Sequence, residues 1–288
     1  MQNILVPLTG CENDARALEA AYLVASRSGD NISALHVSPN PMQIVTHAAV
    51  QQFVSRIGNV ELIHSLEKLA VTRRKDANDT YCRFTRRHSA PEGRINDNVR
   101  VDMEEFEGDT IRDTTLRALY FDLIVLARAS GDDAFSTDAI ANILVGCGRP
   151  VLVAPQEPLR GLGETVAIAW KEKPEAARAV TAAMPLLRAA NRVVVLSVPE
   201  TKTAIDQANK SAEFLASQLD RQGIPAFARY VPYEADTDAA PLLQAVRDAH
   251  ADILVMGAYG HSRARELVFG GFTRHVLKEC ALPVLMLH

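Results

Sequence analysis

Long apolar runs are missing from this sequence. None of its hydrophobic stretches approaches the roughly 20 residues a membrane-spanning helix needs. Paired cysteines are missing too: Cys11, Cys82, Cys147 and Cys280 are scattered, with no Cys-x-x-Cys spacing. That excludes a disulfide frame and the common zinc patterns and points to reduced thiols. Neither sign of charge dominates, since the formal net charge is −4, so nothing global favours nucleic acid or an anionic membrane. Aromatics make up only 6% of the chain. The basic clusters Arg73, Arg74, Lys75 and Arg83, Arg86, Arg87 accordingly have few aromatics interleaved. They lie close in sequence to Asp102, Glu104, Glu105, Glu107 and Asp109, which reads as a self-paired surface. The first residues, MQNILVPLTG, have neither the basic start nor the apolar centre of a signal peptide. The expectation is a cytoplasmic protein that binds neither nucleic acid nor membrane.

Catalytic signatures are absent as well. No Gly-x-Ser-x-Gly elbow, no His-Glu-x-x-His and no Gly-x-x-x-x-Gly-Lys-(Ser/Thr) loop occurs. No nucleophile or Mg²⁺-ligand set for fast phosphoryl transfer can be pointed to.

What the 288 residues do contain is alternation. Short apolar strands at 4–7, 32–37, 99–106, 122–127 and 151–154 are separated by helical periodicity at 15–26, 42–89, 110–119 and 139–144. The long second helical segment carries a potential interruption near Gly58. The pattern then restarts. Strands are predicted at 165–170, 192–198, 226–231, 252–256 and 284–287, with helices at 175–190, 204–222, 239–250 and 273–280. Local sequence repeats with it: DLIVLA at Asp122–Ala127 parallels DILVMG at Asp252–Gly257, and Arg149–Leu152 (RPVL) parallels Leu282–Leu285 (LPVL). Strand–helix alternation implies parallel sheets covered by helices on both faces. Two tandem α/β domains are expected, 1–156 and 163–288, joined by the Pro- and Gly-containing stretch Glu157–Gly163.

One segment stands out, DILVMGAYGHSRARELVFGGFT at Asp252–Thr273. A buried strand pattern runs into Gly257 and Gly260. Gly270 and Gly271 then precede Phe272, Thr273 and an apolar-periodic helix. Glycines allow backbone N–H groups to approach a phosphate, and a helix N-terminus adds free donors and partial positive charge. His261, Arg263, Arg265 and His275 lie within or just beyond this segment, where they could reach an anion or simply face solvent.

The spacing Gly257-x2-Gly260-x9-Gly270 resembles the phosphate loop of the ATP-binding universal stress proteins, G-x2-G-x9-G-(S/T). The chain departs at the last position, where it has Gly271, and Thr273 matches a second hydroxyl position. The resemblance extends over nearly the whole chain and implies doubly wound halves of flavodoxin-like or adenine-nucleotide-hydrolase-like type. It also implies their packing as an intramolecular pseudo-dimer, with homodimerisation a further option. Its functional implication is binding of ATP or another adenine nucleotide, alone or with Mg²⁺, by a stress-response sensor or regulator without strong catalysis. The contacts it implies are Ala169, Trp170, Lys171, Gly257, Gly260, His261, Gly270, Gly271, Phe272 and Thr273.

The first copy departs further. Ala127, Arg128, Ala129 and Ser130 stand where the family has G-x-x-G, and Asp132 and Asp133 would repel phosphate. Both copies lack the family's adenosine-contacting Asp after the first strand: Thr9 and Cys11 occupy those positions in one half, Lys171 and Lys173 in the other. An ammonium raises local positive potential but cannot accept a hydrogen bond. One ligand per chain is expected, in the second half. A nucleotide-free interaction protein and a slow nucleotide hydrolase remain open alternatives.

Overall fold

The computed structural model describes residues 3–40, 58–90, 94–95, 99–128, 135–233, 239–258 and 271–288. Gly260, His261, Arg263, Arg265 and Gly270, like Ser130, Asp132 and Asp133, lie outside those residues, as does 42–57 of the predicted second helical segment.

In the first half β1 (Asn3–Leu8), α1 (Asp14–Ser28), β2 (Asn31–Pro39) and α2 (Gly58–His88) lead to the short β3 (Ser89–Ala90) and β4 (Arg94–Ile95). Then follow β5 (Val99–Gly108), α3 (Thr110–Ala118), β6 (Leu123–Ala127), α4 (Thr137–Cys147) and β7 (Val151–Ala154). The second half runs β8 (Thr165–Trp170), α5 (Pro174–Ala189), β9 (Arg192–Ser197), a 3₁₀ turn (Lys202–Ala204) and α6 (Ile205–Asp220). It closes with β10 (Ala226–Tyr230), α7 (Ala240–Asp248), β11 (Ile253–Gly257), α8 (Gly271–Glu279) and β12 (Val284–Leu287). Each strand and helix predicted from periodicity within the described residues is present. The small β3–β4 hairpin is additional, too short to leave a periodic signal.

The strands form one sheet in the order β10-β9-β8-β11-β12-β7-β6-β1-β2-β5-β4-β3. Counting the five main strands of each half in chain order, both halves read 3-2-1-4-5. This is the Rossmann-type order, and it excludes the flavodoxin-like order 2-1-3-4-5. The halves meet at their fifth strands, β7 and β12, the antiparallel joint between two parallel half-sheets. There Leu285 faces Leu152, Val284 faces Val153 and Met286 faces Val151. By the sequence repeat, Leu152 corresponds to Leu285, Val151 to Val284 and Val153 to Met286. The repeat thus maps the pair Val284–Val153 onto the pair Val151–Met286 and Leu285–Leu152 onto itself, the reciprocity of a twofold interface. The chain builds the pseudo-dimer within itself.

Because the strands are sandwiched, both their faces are apolar. Ile4, Val6, Val166, Ile168, Ile253 and Val255 pack under α1, α2, α5 and α6, while Leu5, Ile124, Ala167, Leu254 and Met256 pack under α3, α4, α7 and α8. Each core runs through both halves. The repeated acid that leads the fourth strand has a structural role. The Asp252 carboxylate accepts from the backbone N–H groups of Gly163 (2.7 Å), Glu164 (2.8 Å) and Thr165 (3.3 Å), fixing the start of β8. Asp122 accepts from Asn3 N at 3.2 Å and serves β1 the same way.

Candidate functional site

In a 3-2-1-4-5 sheet the connections diverge between strands 1 and 4, leaving a crevice beyond their carboxyl ends where ligands bind. This chain has two such places, after β1 and β6 and after β8 and β11.

The first is filled by the chain itself. Asp14, at the start of α1, turns back and accepts hydrogen bonds from Thr9 N (2.9 Å), Gly10 N (2.7 Å) and the Thr9 hydroxyl (3.0 Å). Asn13 Nδ2 donates to the Arg128 carbonyl at 2.9 Å, tying the loop after β1 to the end of β6. The long α2 lies over that loop. A Cβ on Gly10 would stand 2.2 Å from the Arg73 carbonyl oxygen, and Gly10 has φ +74°, so glycine is needed on both counts. Arg73 Nη1 also donates to Cys11 Sγ at 3.0 Å.

At the second, the residues beyond Ala258 that follow β11 lie outside those described. At the end of β8 and β9 lies a cavity of about 190 Å³, lined by Trp170, Lys171, Glu172, Lys173, Val198, Glu200, Ala204, Gln207, Ala208 and Ser211. Trp170 Nε1 donates to Ser211 Oγ at 3.0 Å, which fixes the ring. Trp170, Val198, Ala204 and Ala208 give the cavity apolar surface. Lysines and glutamates balance at its rim, with Lys173 Nζ 3.5 Å and Lys171 Nζ 3.9 Å from the Glu200 carboxylate. Burial pulls the Lys171 ammonium below the usual lysine range, and the neighbouring Lys173 charge adds to this, against the opposing pull of Glu200 and Glu175.

Lys171 joins this cavity to α8, because its Nζ lies 5.1 Å from the centroid of the Phe272 ring, a cation–π contact. Gly271 is exposed at the first position of α8, and Thr273 is buried two residues on. Gly257, at the end of β11, is required sterically: a Cβ there would lie 2.6 Å from Ala176 N and 2.8 Å from Glu175 C, in the first turn of α5. The structure thus brings Lys171 and Phe272 together, while Trp170 packs against the core under α1, α2, α5 and α6 and Phe272 against the core on the other face of the sheet. It places Ala169 in the sheet, paired with Leu196 and Met256, its side chain in the core. His275 is half-buried on α8. Among the described residues no group of three or more His, Cys, Asp or Glu could hold a metal ion.

Val198, Glu200, Ala204, Gln207, Ala208 and Ser211 were not apparent from the glycine motif. They come from the end of β9 and from the 3₁₀ turn and α6 that follow. The signal available was topological: the end of the second strand borders the crevice in any sheet of this order.

The comparisons with known proteins agree with this architecture. Residues 164–288 match the family described as the Universal stress protein family. A stretch of 38 residues is 53% identical to a universal stress protein of Synechocystis sp., covering 13% of this chain and 13% of that relative. The fold of the whole chain is similar to a solved universal stress protein from Archaeoglobus fulgidus, with TM-score 0.62 and 14% identity over 99% of this chain and 95% of that one. A solved protein of unknown function from Pseudomonas aeruginosa PAO1 is also similar, with TM-score 0.57 and 14% identity over 100% and 92% of the two chains. At these identities the structures speak for the fold. No helix among the described residues is long and apolar enough to cross a membrane.

Proposed function

We propose that the chain binds one adenine nucleotide, such as ATP, in its second half and serves as a cytoplasmic sensor or regulator in a stress response, without strong catalysis. The observation that carries this reading is the cavity at the ends of β8 and β9, whose Lys171 reaches Phe272 at the start of α8. In the first half the loop after β1 is instead closed over by Asp14, Asn13 and α2. The match of residues 164–288 to the Universal stress protein family supports it from the sequence side. In this reading the base enters the cavity, against Trp170 and Val198. Lys171 and the first N–H groups of α8, at Gly271, Phe272 and Thr273, face the phosphates, where a helix N-terminus favours an anion. Gly260, His261 and Gly270 complete the loop on the sequence evidence alone.

Trp170 is the chain's one tryptophan, so intrinsic fluorescence reports on this cavity. Titration of ATP, ADP and AMP into the full chain should change the emission and saturate at one ligand per chain, with acid extraction of the purified protein releasing the same nucleotide. Gly260→Val should weaken binding by about tenfold, or ~1.4 kcal/mol, and Ser130→Val should leave it unchanged. An unchanged emission together with an empty extract would favour the nucleotide-free interaction protein. Phosphate release that disappears in Gly260→Val would favour the slow hydrolase.

A further inference from the structure

Glu200 stands just beyond β9, the second strand of its half, on the rim of the Trp170 cavity. In sheets of this order an acidic residue that follows the second strand is placed to accept hydrogen bonds from ribose hydroxyls. The positions after β8 cannot do so, because they carry Lys171 and Lys173, and ammonium groups only donate. Two other polar side chains of the rim already have a partner within it. Ser211 Oγ accepts from Trp170 Nε1, and Gln207 Nε2 donates to Glu172 at 3.5 Å. Glu200 differs. Its Oε2 faces Lys173 at 3.5 Å and its Oε1 faces Lys171 at 3.9 Å. A carboxylate has about four lone-pair positions, and at those separations the two ammonium groups hold its charge and orientation without saturating it.

We propose that Glu200 is the residue through which this chain reads the sugar: its two oxygens accept hydrogen bonds from the 2′- and 3′-hydroxyls of a ribonucleotide whose base occupies the cavity. The proposal rests on the nucleotide reading above and adds a ligand class, ribonucleotides with an unmodified diol over deoxyribonucleotides. It also gives the two lysines a second role, as the clamp that keeps the acceptor in place. Removing a hydroxyl leaves the carboxylate short of a donor, and removing the carboxylate leaves the hydroxyl short of an acceptor. The two losses should therefore not add.

The test is a titration of ATP, 2′-deoxy-ATP, 3′-deoxy-ATP and a 2′-phosphorylated adenosine nucleotide into the full chain and its Glu200→Gln variant, followed by Trp170 emission. Glu200 is exposed, so the variant keeps the fold, and circular dichroism checks this. The expected result is that the native chain binds either deoxy analogue about tenfold more weakly than ATP, and that Glu200→Gln binds all three alike at the weaker level. Native affinity that is equal for ATP and both deoxy analogues would overturn the assignment of Glu200 and leave nucleotide binding standing. So would discrimination that survives in Glu200→Gln, or tighter binding of the 2′-phosphorylated compound. Failure of every nucleotide to bind the native chain would overturn both.

Discussion

Asp14 shows how a single buried acid can be spent on closing a site. Burial works against its charge and the three donors from Thr9 and Gly10 work for it; burial wins, raising its pKa from 3.8 to about 6. The sign of the consequence follows. A carboxyl whose pKa is higher folded than unfolded keeps its proton in the native chain while the unfolded chain has already lost it, so stability falls as pH rises between about 4 and about 6 and then levels. The shift of roughly 2 units corresponds to at most about 3 kcal/mol. Urea unfolding of the native chain and Asp14→Asn across pH 4 to 7 isolates this contribution. The native chain should lose stability relative to the variant across that window. A difference that is constant with pH would show that the donors, not burial, set the state of Asp14.

At the level of elements, the acids that lead the fourth strands set how the halves begin. Asp252 serves three backbone donors at the start of β8, and Asp122 accepts from Asn3 N at the start of β1. Asp252→Ala should therefore cost about 2–3 kcal/mol, from hydrogen bonds to a charged acceptor and the partial exposure of the donors. Chemical denaturation of the variant measures the loss, and an unchanged stability would contradict it. α2 fills the space beside Gly10, and its counterpart in the repeat, α6, forms one wall of the second-half cavity together with the 3₁₀ turn.

The whole molecule is one sheet with two cores that cross the joint between β7 and β12. Its connecting segment is exposed at Gln156–Pro158 and Arg160, but pinned at its ends, where Arg16 Nε donates to the Gln156 carbonyl (3.0 Å) and Arg27 Nη1 to the Gly163 carbonyl (3.1 Å). We propose 1–156 and 163–288 as the two domains. Brief trypsin treatment should cut at Arg160 and leave two fragments that still elute together on gel filtration, because the joint and the shared cores hold them; fragments that separate without denaturant would contradict the pseudo-dimer as a stable unit. The repeated strands and helices could be read from the sequence because buried parallel strands must be continuously apolar and surface helices must be periodic, and both requirements act along the chain. The glycines of Asp252–Thr273 could be read because close backbone approach excludes a side chain at that residue alone. The roles of Asp252 and Glu200 were not legible in this way: each depends on what another segment brings within about 3–4 Å, and sequence distance says nothing of that. The antiparallel joint, the closing of the loop after β1 by α2 and the cavity beside Trp170 were decided only by packing, since identical strand orders leave both halves equally available until side chains and helices occupy the space.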